Sequence, residues 1–192
     1  KDMLSFRYGY ETFAQPLATP NFPGFQTSAF NKYHAVVLTE THIFSPSFTN
    51  ELRLPYNRFF FDSPNDGTNP LAQNLARYVI TPLSDLGVAS TYPQGRVANS
   101  YVVQDTLSYV KGRHTLRGGI DLLKQRSRQI APQAARGTLV YNTANGYSPF
   151  ANFLDDFGGS NGGALRDFGS PVYYPTFFRQ AYFFQDRWQA TP

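Results

Sequence analysis

Along residues 99–125, hydrophobic and polar positions alternate on both sides of a short polar turn, Lys111-Gly112-Arg113-His114. Before the turn, Tyr101, Val103, Leu107 and Tyr109 share one parity, and Gln104, Thr106 and Ser108 share the other. After it, Leu116, Gly118, Ile120 and Leu122 alternate with Thr115, Arg117, Gly119 and Asp121. Successive strand side chains point to opposite faces, so this pattern predicts a hairpin with one apolar and one polar face. The runs are long and the polar face is rich in charge and amide. That combination predicts a sheet with lipid on one side and a wet lumen on the other.

The same alternation recurs along the chain. Leu4, Phe6, Tyr8 and Tyr10 alternate with Ser5, Arg7, Gly9 and Glu11, and a Pro-rich connector follows over about residues 14–31. A second run covers about 32–44. Tyr33, Ala35, Val37 and Ile43 fall on one parity there, and Lys32, His34, Glu40 and His42 on the other together with Val36 and Leu38. Ser45-Pro46-Ser47 predicts a tight turn. The third run, about 50–61, sets Leu52, Leu54 and Tyr56 against Glu51, Arg53 and Asn57. Pro55 cannot donate to a ladder, which predicts a bulge. Residues 62–97 form a long connector whose NPLAQNLARYV segment predicts a short helix over 71–79. Residues 126–175 form another, with a strand extension over 137–142, a short amphipathic helix over 149–157 and a Gly-rich loop over 158–163. The last run is about 176–189, with Tyr182, Phe184 and Trp188 on one parity.

The expected architecture is therefore all-β: an antiparallel meander of about six long strands, with short helices in the long loops. The connectors alternate long, short, long, short, long. Soluble sandwiches rarely sort their loops in this way, whereas transmembrane barrels put short turns on one side and long loops on the other.

Composition narrows the class. Hydrophobic residues make up 41%, charged residues 16% and aromatics 17% of 192 residues, which is not a disordered composition and favours strands. Zero Cys excludes a disulfide framework and a thiolate metal site. The net charge of +4 is spread along the whole chain, unlike the basic stripe of a nucleic-acid binder. The longest apolar runs are about four residues, far short of the roughly 18 a membrane helix needs.

An internal echo pairs Gln104-Asp105-x-Leu107 with Gln185-Asp186-x-Trp188. In both, the Asp falls on the apolar parity. Either it faces lipid near the interface, or a bulge turns it inward.

Several motifs together carry a family resemblance. They are Thr39-Glu40-Thr41-His42 with Phe44-Ser45-Pro46, Asn50-Glu51-Leu52-Arg53, Tyr56-Asn57-Arg58 and Gln104-Asp105. To these add Lys111-Gly112-Arg113-His114-Thr115-Leu116-Arg117-Gly118-Gly119, Phe150-Ala151-Asn152-Phe153-Leu154, and Phe183-Phe184-Gln185-Asp186-Arg187-Trp188 before Thr191-Pro192. In order and spacing the chain resembles the TonB-dependent outer-membrane receptors, especially the large Oar-like ones. The resemblance implies a segment of a plugged barrel of about 22 strands in the outer membrane of a Gram-negative bacterium. Residues 1–192 would form part of the barrel, with the plug and the remaining strands outside this chain. The implied partners are outer-membrane lipid, the protein's own plug domain, the TonB complex through an N-terminal region beyond this chain, and a large solute that the sequence does not identify. No cofactor and no nucleic acid is implied.

Parity assigns Arg7, Glu11, Glu40, Glu51, Arg53, Arg117 and Asp121 to the lumen side, and Tyr109 and Trp188 to the membrane interface. No catalytic or metal site is expected. His34 and His42 share a parity, but eight residues of strand separate them by roughly 26 Å. Asp155-Asp156 has no converging partner, GGSNGG lacks the Lys-Ser/Thr ending of a phosphate loop, and no nucleophile elbow is present. An enzyme is therefore not expected. The competing expectation is a soluble all-β carbohydrate- or ligand-binding module. In that case Leu4, Phe6, Leu52, Leu54, Leu116, Ile120 and Leu122 would face a second packed sheet about 10 Å away.

Overall fold

The computed structural model describes residues 1–18, 20–158 and 162–190. In chain order the elements are β1 (Asp2–Ala18), β2 (Thr27–Ser45), β3 (Phe48–Ser63), a 3-10 turn (Pro70–Gln73), β4 (Arg77–Ile80), β5 (Gln94–Lys111) and β6 (His114–Ile130). There follow β7 (Thr138–Tyr141), α1 (Pro149–Leu154), β8 (Gly163–Leu165), β9 (Val172–Tyr173) and β10 (Thr176–Trp188). No helix is long and apolar enough to cross a membrane among the described residues.

Six strands build one antiparallel wall in the order β1-β2-β3-β5-β6-β10, with short β9 pairing beside β6. Each wall strand joins its sequence neighbour in the wall, so the expected meander forms. The first five wall strands run 16 to 19 residues and β10 runs 13. About 9–11 residues suffice to cross a bilayer at the usual tilt, so each of these strands is longer than such a crossing needs.

The register decides which residues share a face. Leu4 pairs with Glu40, Glu40 with Leu52, Leu52 with Asp105, Asp105 with Ile120, and Ile120 with Tyr182. Phe6, Leu38 and Leu54 form the next row, and Val103 with Leu122 continues the face further on. These apolar residues thus lie on one face. In β5 the exposure is the reverse of that of a strand covered on its apolar face. Tyr101, Val103, Leu107 and Tyr109 are exposed, whereas Ser100, Gln104, Thr106 and Ser108 on the other face are half-buried. No second sheet covers the apolar face among the described residues; the small sheet β4-β7-β8 touches α1 and its own strands instead.

The two short connections are tight. Lys111 pairs with His114, so the hairpin loop is the two residues Gly112-Arg113 rather than four. Gly112 adopts φ 59°, a conformation glycine reaches without steric cost. Ser45 pairs with Phe48 across Pro46-Ser47 after a register shift at Ile43/Ser45. Further along, Gly119 in β6 lets the backbones close up. A Cβ there would collide with the Asp105 carbonyl oxygen and lie 2.7 Å from Cε1 of Phe183.

Several local expectations are corrected. Pro55 makes no bulge: it pairs with Val37 in continuous register, and the β3–β5 ladder skips from Arg53↔Gln104 to Tyr56↔Tyr101 without a shift. The missing N–H costs pairing on one side only. The helix expected over 71–79 is a 3-10 turn followed by β4, because Tyr78, Val79 and Ile80 find Leu139, Val140 and Tyr141 as parallel strand partners. The strand over 137–142 therefore belongs to a separate sheet. The helix expected over 149–157 stops at Leu154, and residues 159–161 of the expected Gly-rich loop lie outside the described residues.

At the end opposite the tight turns, the three long connectors interlock. Phe25 from the first buries against Ala72 and Val88 of the second, with Leu75 and Tyr92 alongside. Arg136 of the third donates to the carbonyl oxygens of Ala89 (2.8 Å) and Tyr92 (2.9 Å). The Asp167 carboxylate accepts the N–H groups of Gln133 and Ala134 at 2.7 and 2.8 Å.

Candidate functional site

The candidate site is the polar face of the wall. Period-two alternation along long strands delivers its side chains, and the register stacks them in rows. Arg7 of β1 pairs with Val37, and Glu11 with Tyr33 and, through it, Phe59. Glu51 stands between Thr41 and Thr106, and Arg53 between Thr39 and Gln104. Asp121 continues the Arg53 row through Gln104, and Arg117 pairs with Ser108 and Gln185. Six of the seven residues assigned to the lumen by parity therefore share one face.

Glu40 is the exception. It stands between Leu4 and Leu52 on the apolar face. The reason is that β2 carries apolar side chains on both parities, and its neighbours' registers, not its own pattern, fix which parity joins the apolar face.

Within the polar face one network is closed. Gln104 donates its amide to Asp121 at 2.7 Å, and Arg179 approaches the other Asp121 oxygen at 3.3 Å. Arg7, Glu11, Glu51, Arg53 and Arg117 make no side-chain hydrogen bond or ion pair among the described residues. Their charges are open to whatever occupies that side. Near the long-connector end, Glu11, Phe13, Asn31, Tyr33 and Phe59 line an open depression of about 420 Å³. Tyr33 donates to Asn57 at 2.8 Å there. Parity identified Glu11, but its aromatic neighbour Phe13 was missed, because the first alternating run reads only as far as Glu11 whereas β1 continues past it.

The apolar face carries the two aromatics assigned to the interface. Tyr109 packs edge-on against Phe48, with centroids 5.9 Å apart, and Phe48 stacks on Phe44. Trp188 stacks on His114 at 6.1 Å. Both stand at the tight-turn end. Asp105 and Asp186 stay on this face in unbroken register, so no bulge turns them inward. Each has a polar partner instead: Asn50 donates to Asp105, and His114 meets Asp186 at 2.8 Å.

The histidines separate as their spacing requires. His34 meets the Tyr8 hydroxyl at 2.9 Å, while His42 bonds Asp2. Asp2, Glu40 and His42 bring possible ligand atoms within 4.8 Å of one another, a cluster half-buried at Glu40 and His42 that sequence spacing missed because Asp2 joins it only through the β1–β2 register. Asp155 and Asp156 do not act as a pair. Asp156 accepts the Tyr141 hydroxyl at 2.8 Å among the interlocked connectors, and burial together with that bond pushes the phenol up to about 12. Burial likewise pulls the Arg136 guanidinium down from its usual range.

A protein-family model described as an outer membrane beta barrel domain matches residues 1–192. No match is found among curated proteins or among solved structures.

Proposed function

The chain belongs to the outer membrane beta barrel domain family and forms a barrel segment of a bacterial outer membrane, and on that premise we propose that it is wall of a TonB-dependent receptor that takes up a large solute. The long connectors face outward and the tight turns face the periplasm, as in outer-membrane barrels generally. The polar face lines the lumen and the apolar face meets lipid, with Tyr109 and Trp188 at the periplasmic interface.

One observation carries this reading. The polar face presents Arg7, Glu11, Glu51, Arg53 and Arg117 with no charge partner of their own among the described residues. A lumen filled by its own strand side chains would neutralise such groups internally. Unpaired charges on the lumen-facing side support an occupant, and a plug domain or a passing solute supplies one. The Oar-like motif order in the sequence supports the TonB-coupled member of that choice.

Residues 1–192 contain no Cys, and any Cys elsewhere in the full-length protein is first replaced by Ser to give a clean background for the test. Arg53→Cys and Arg117→Cys are placed singly in the full-length protein in cells, and labelling by a water-soluble, membrane-impermeant maleimide is timed. The expected result is labelling several-fold faster in cells with a working TonB complex than in cells lacking it, because plug movement opens the lumen. Equal rates in the two strains would remove the TonB coupling.

A further inference from the structure

The apolar face is charged at both ends. Toward the tight turns the charges are mixed: Asp2, Glu40, Asp105 and Asp186 stand there with Lys111, His42 and His114, and His42 and His114 bond Asp2 and Asp186. Toward the long connectors three successive rows carry cations. Tyr8, Val36, Tyr56 and Tyr101 lead to Lys124; Tyr10, His34, Arg58 and Asn99 lead to Arg126; Thr12, Lys32, Phe60 and Val97 lead to Arg128. Beyond them on this face stands one acid, Asp62. The polar face shows no such sorting: Arg7, Arg53 and Arg117 mix there with Glu11, Glu51 and Asp121.

The cations are compact and available. Lys124, Arg126 and Arg128 follow one another on one side of β6 at steps of about 7 Å, and Arg58 lies two strands from Arg126, about 10 Å away. Arg58, Lys124, Arg126 and Arg128 are exposed. Arg58 donates to Asn99 at 3.0 Å, and the Lys32 ammonium sits 4.9 Å over the Phe30 ring. The three cations of β6 make no hydrogen bond or ion pair among the described residues. Tyr8, Tyr10, Tyr56 and Tyr101 stand in the same or the adjoining row, where amphipathic rings mark the edge of the hydrocarbon.

Unpaired cations just outside a tyrosine row, on a lipid-facing surface, need anionic headgroups. Guanidinium groups bind phosphate in a planar, two-pronged geometry, and a cluster of basic side chains at a membrane surface selects anionic lipid. We propose that Arg58, Lys124, Arg126 and Arg128, with Lys32 at the flank, form a binding strip for the phosphates of an anionic lipid in the outer leaflet. The inference rests on the proposed barrel orientation, and not on coupling to TonB.

The test uses the full-length protein in detergent, with bisphosphorylated lipid A as the probe and binding read by native mass spectrometry. Neutralising the strip with K124Q, R126Q and R128Q together is expected to weaken binding on the order of tenfold or more. The inner-face pair R53Q and R117Q is expected to leave it unchanged. Dephosphorylated lipid is expected to bind as weakly as the strip variant, and inorganic phosphate at equal concentration not to compete. Equal binding by the strip variant, an equal loss in the inner-face variant, or unchanged binding of dephosphorylated lipid would each overturn the proposal. If the triple variant does not assemble, R126Q and R128Q singly, each expected to weaken binding a few-fold, decide the same question. No solute or TonB complex enters this measurement, so its failure would remove the lipid strip and leave the uptake reading standing. Failure of the labelling test would do the reverse.

Discussion

The six-strand wall and the interlocked long connectors obey opposite rules. In the wall large apolar side chains stand bare on the apolar face, with Phe184 75% and Leu4 72% exposed. Among the connectors Ala72 is 0% and Val88 3% exposed, and buried Asn152 and Tyr141 are hydrogen-bonded. One chain thus holds a surface suited to lipid beside a small core suited to water. The solvent around each part accounts for the difference. Water drives apolar groups inward in the connectors, whereas in the bilayer the backbone ladder and close strand contact do the holding, and apolar groups face out at no cost.

Disrupting strand contact should do the most damage. Gly119→Val sets side-chain atoms against the Asp105 carbonyl and the Phe183 ring, so a loss above about 4 kcal/mol is expected. Heat-modifiable gel migration of the outer-membrane fraction should show no folded barrel, while Gly112→Asn, at a turn with open space around it, should assemble. Next come face-specific charges. Leu54→Arg on the apolar face should cost about 2–4 kcal/mol of insertion stability. Arg53→Glu, one residue away on the other face, should leave assembly intact and change plug packing or uptake. Equal assembly of the two would erase the distinction between the faces.

Changes among the interlocked connectors should leave the wall untouched. Arg136→Met strips the Ala89 and Tyr92 carbonyls of a buried donor, at a cost of about 2–3 kcal/mol. Limited proteolysis on whole cells should then cut the connectors faster while barrel migration is unchanged. The smallest effect is one of pH. The Tyr141 phenol is raised in the folded state to about 12, so its contribution is complete below the unfolded value of about 10 and is lost as pH rises through the folded one. Protection of the connectors should fall over that window, and Tyr141→Phe should remove the step.

Sequence alternation made the wall legible because each strand meets a different solvent on each face. Loop lengths made its sidedness legible. What stayed hidden depended on partners distant in sequence. Glu40 sits on a strand with Ala35 and Val37 on one parity and Val36 and Leu38 on the other, so only Leu4 and Leu52 across the ladder reveal its face. β4 reads as helix because Leu71, Leu75 and Val79 have helical spacing, and the strand appears only when Thr138–Tyr141 pairs with it. Asp105 and Asp186 break the alternation, and Asn50 and His114 explain how the acids are held in place. The charges of the polar face, Glu40 apart, were legible, though not their lack of partners; the basic strip at the outer end of the apolar face was not, since it is assembled from β2, β3 and β6.

The assignment of the two faces to lipid and lumen is the claim on which the rest depends. Single spin labels at residues 51, 52, 53, 54, 56 and 57 of the full-length protein in bilayers, with collisional access to oxygen and to a water-soluble nickel chelate compared at each, test it directly. Labels replacing Leu52, Leu54 and Tyr56 should be open to oxygen and closed to nickel, and those replacing Glu51, Arg53 and Asn57 should show the reverse. The same accessibility on both parities, or the opposite alternation, would contradict the account.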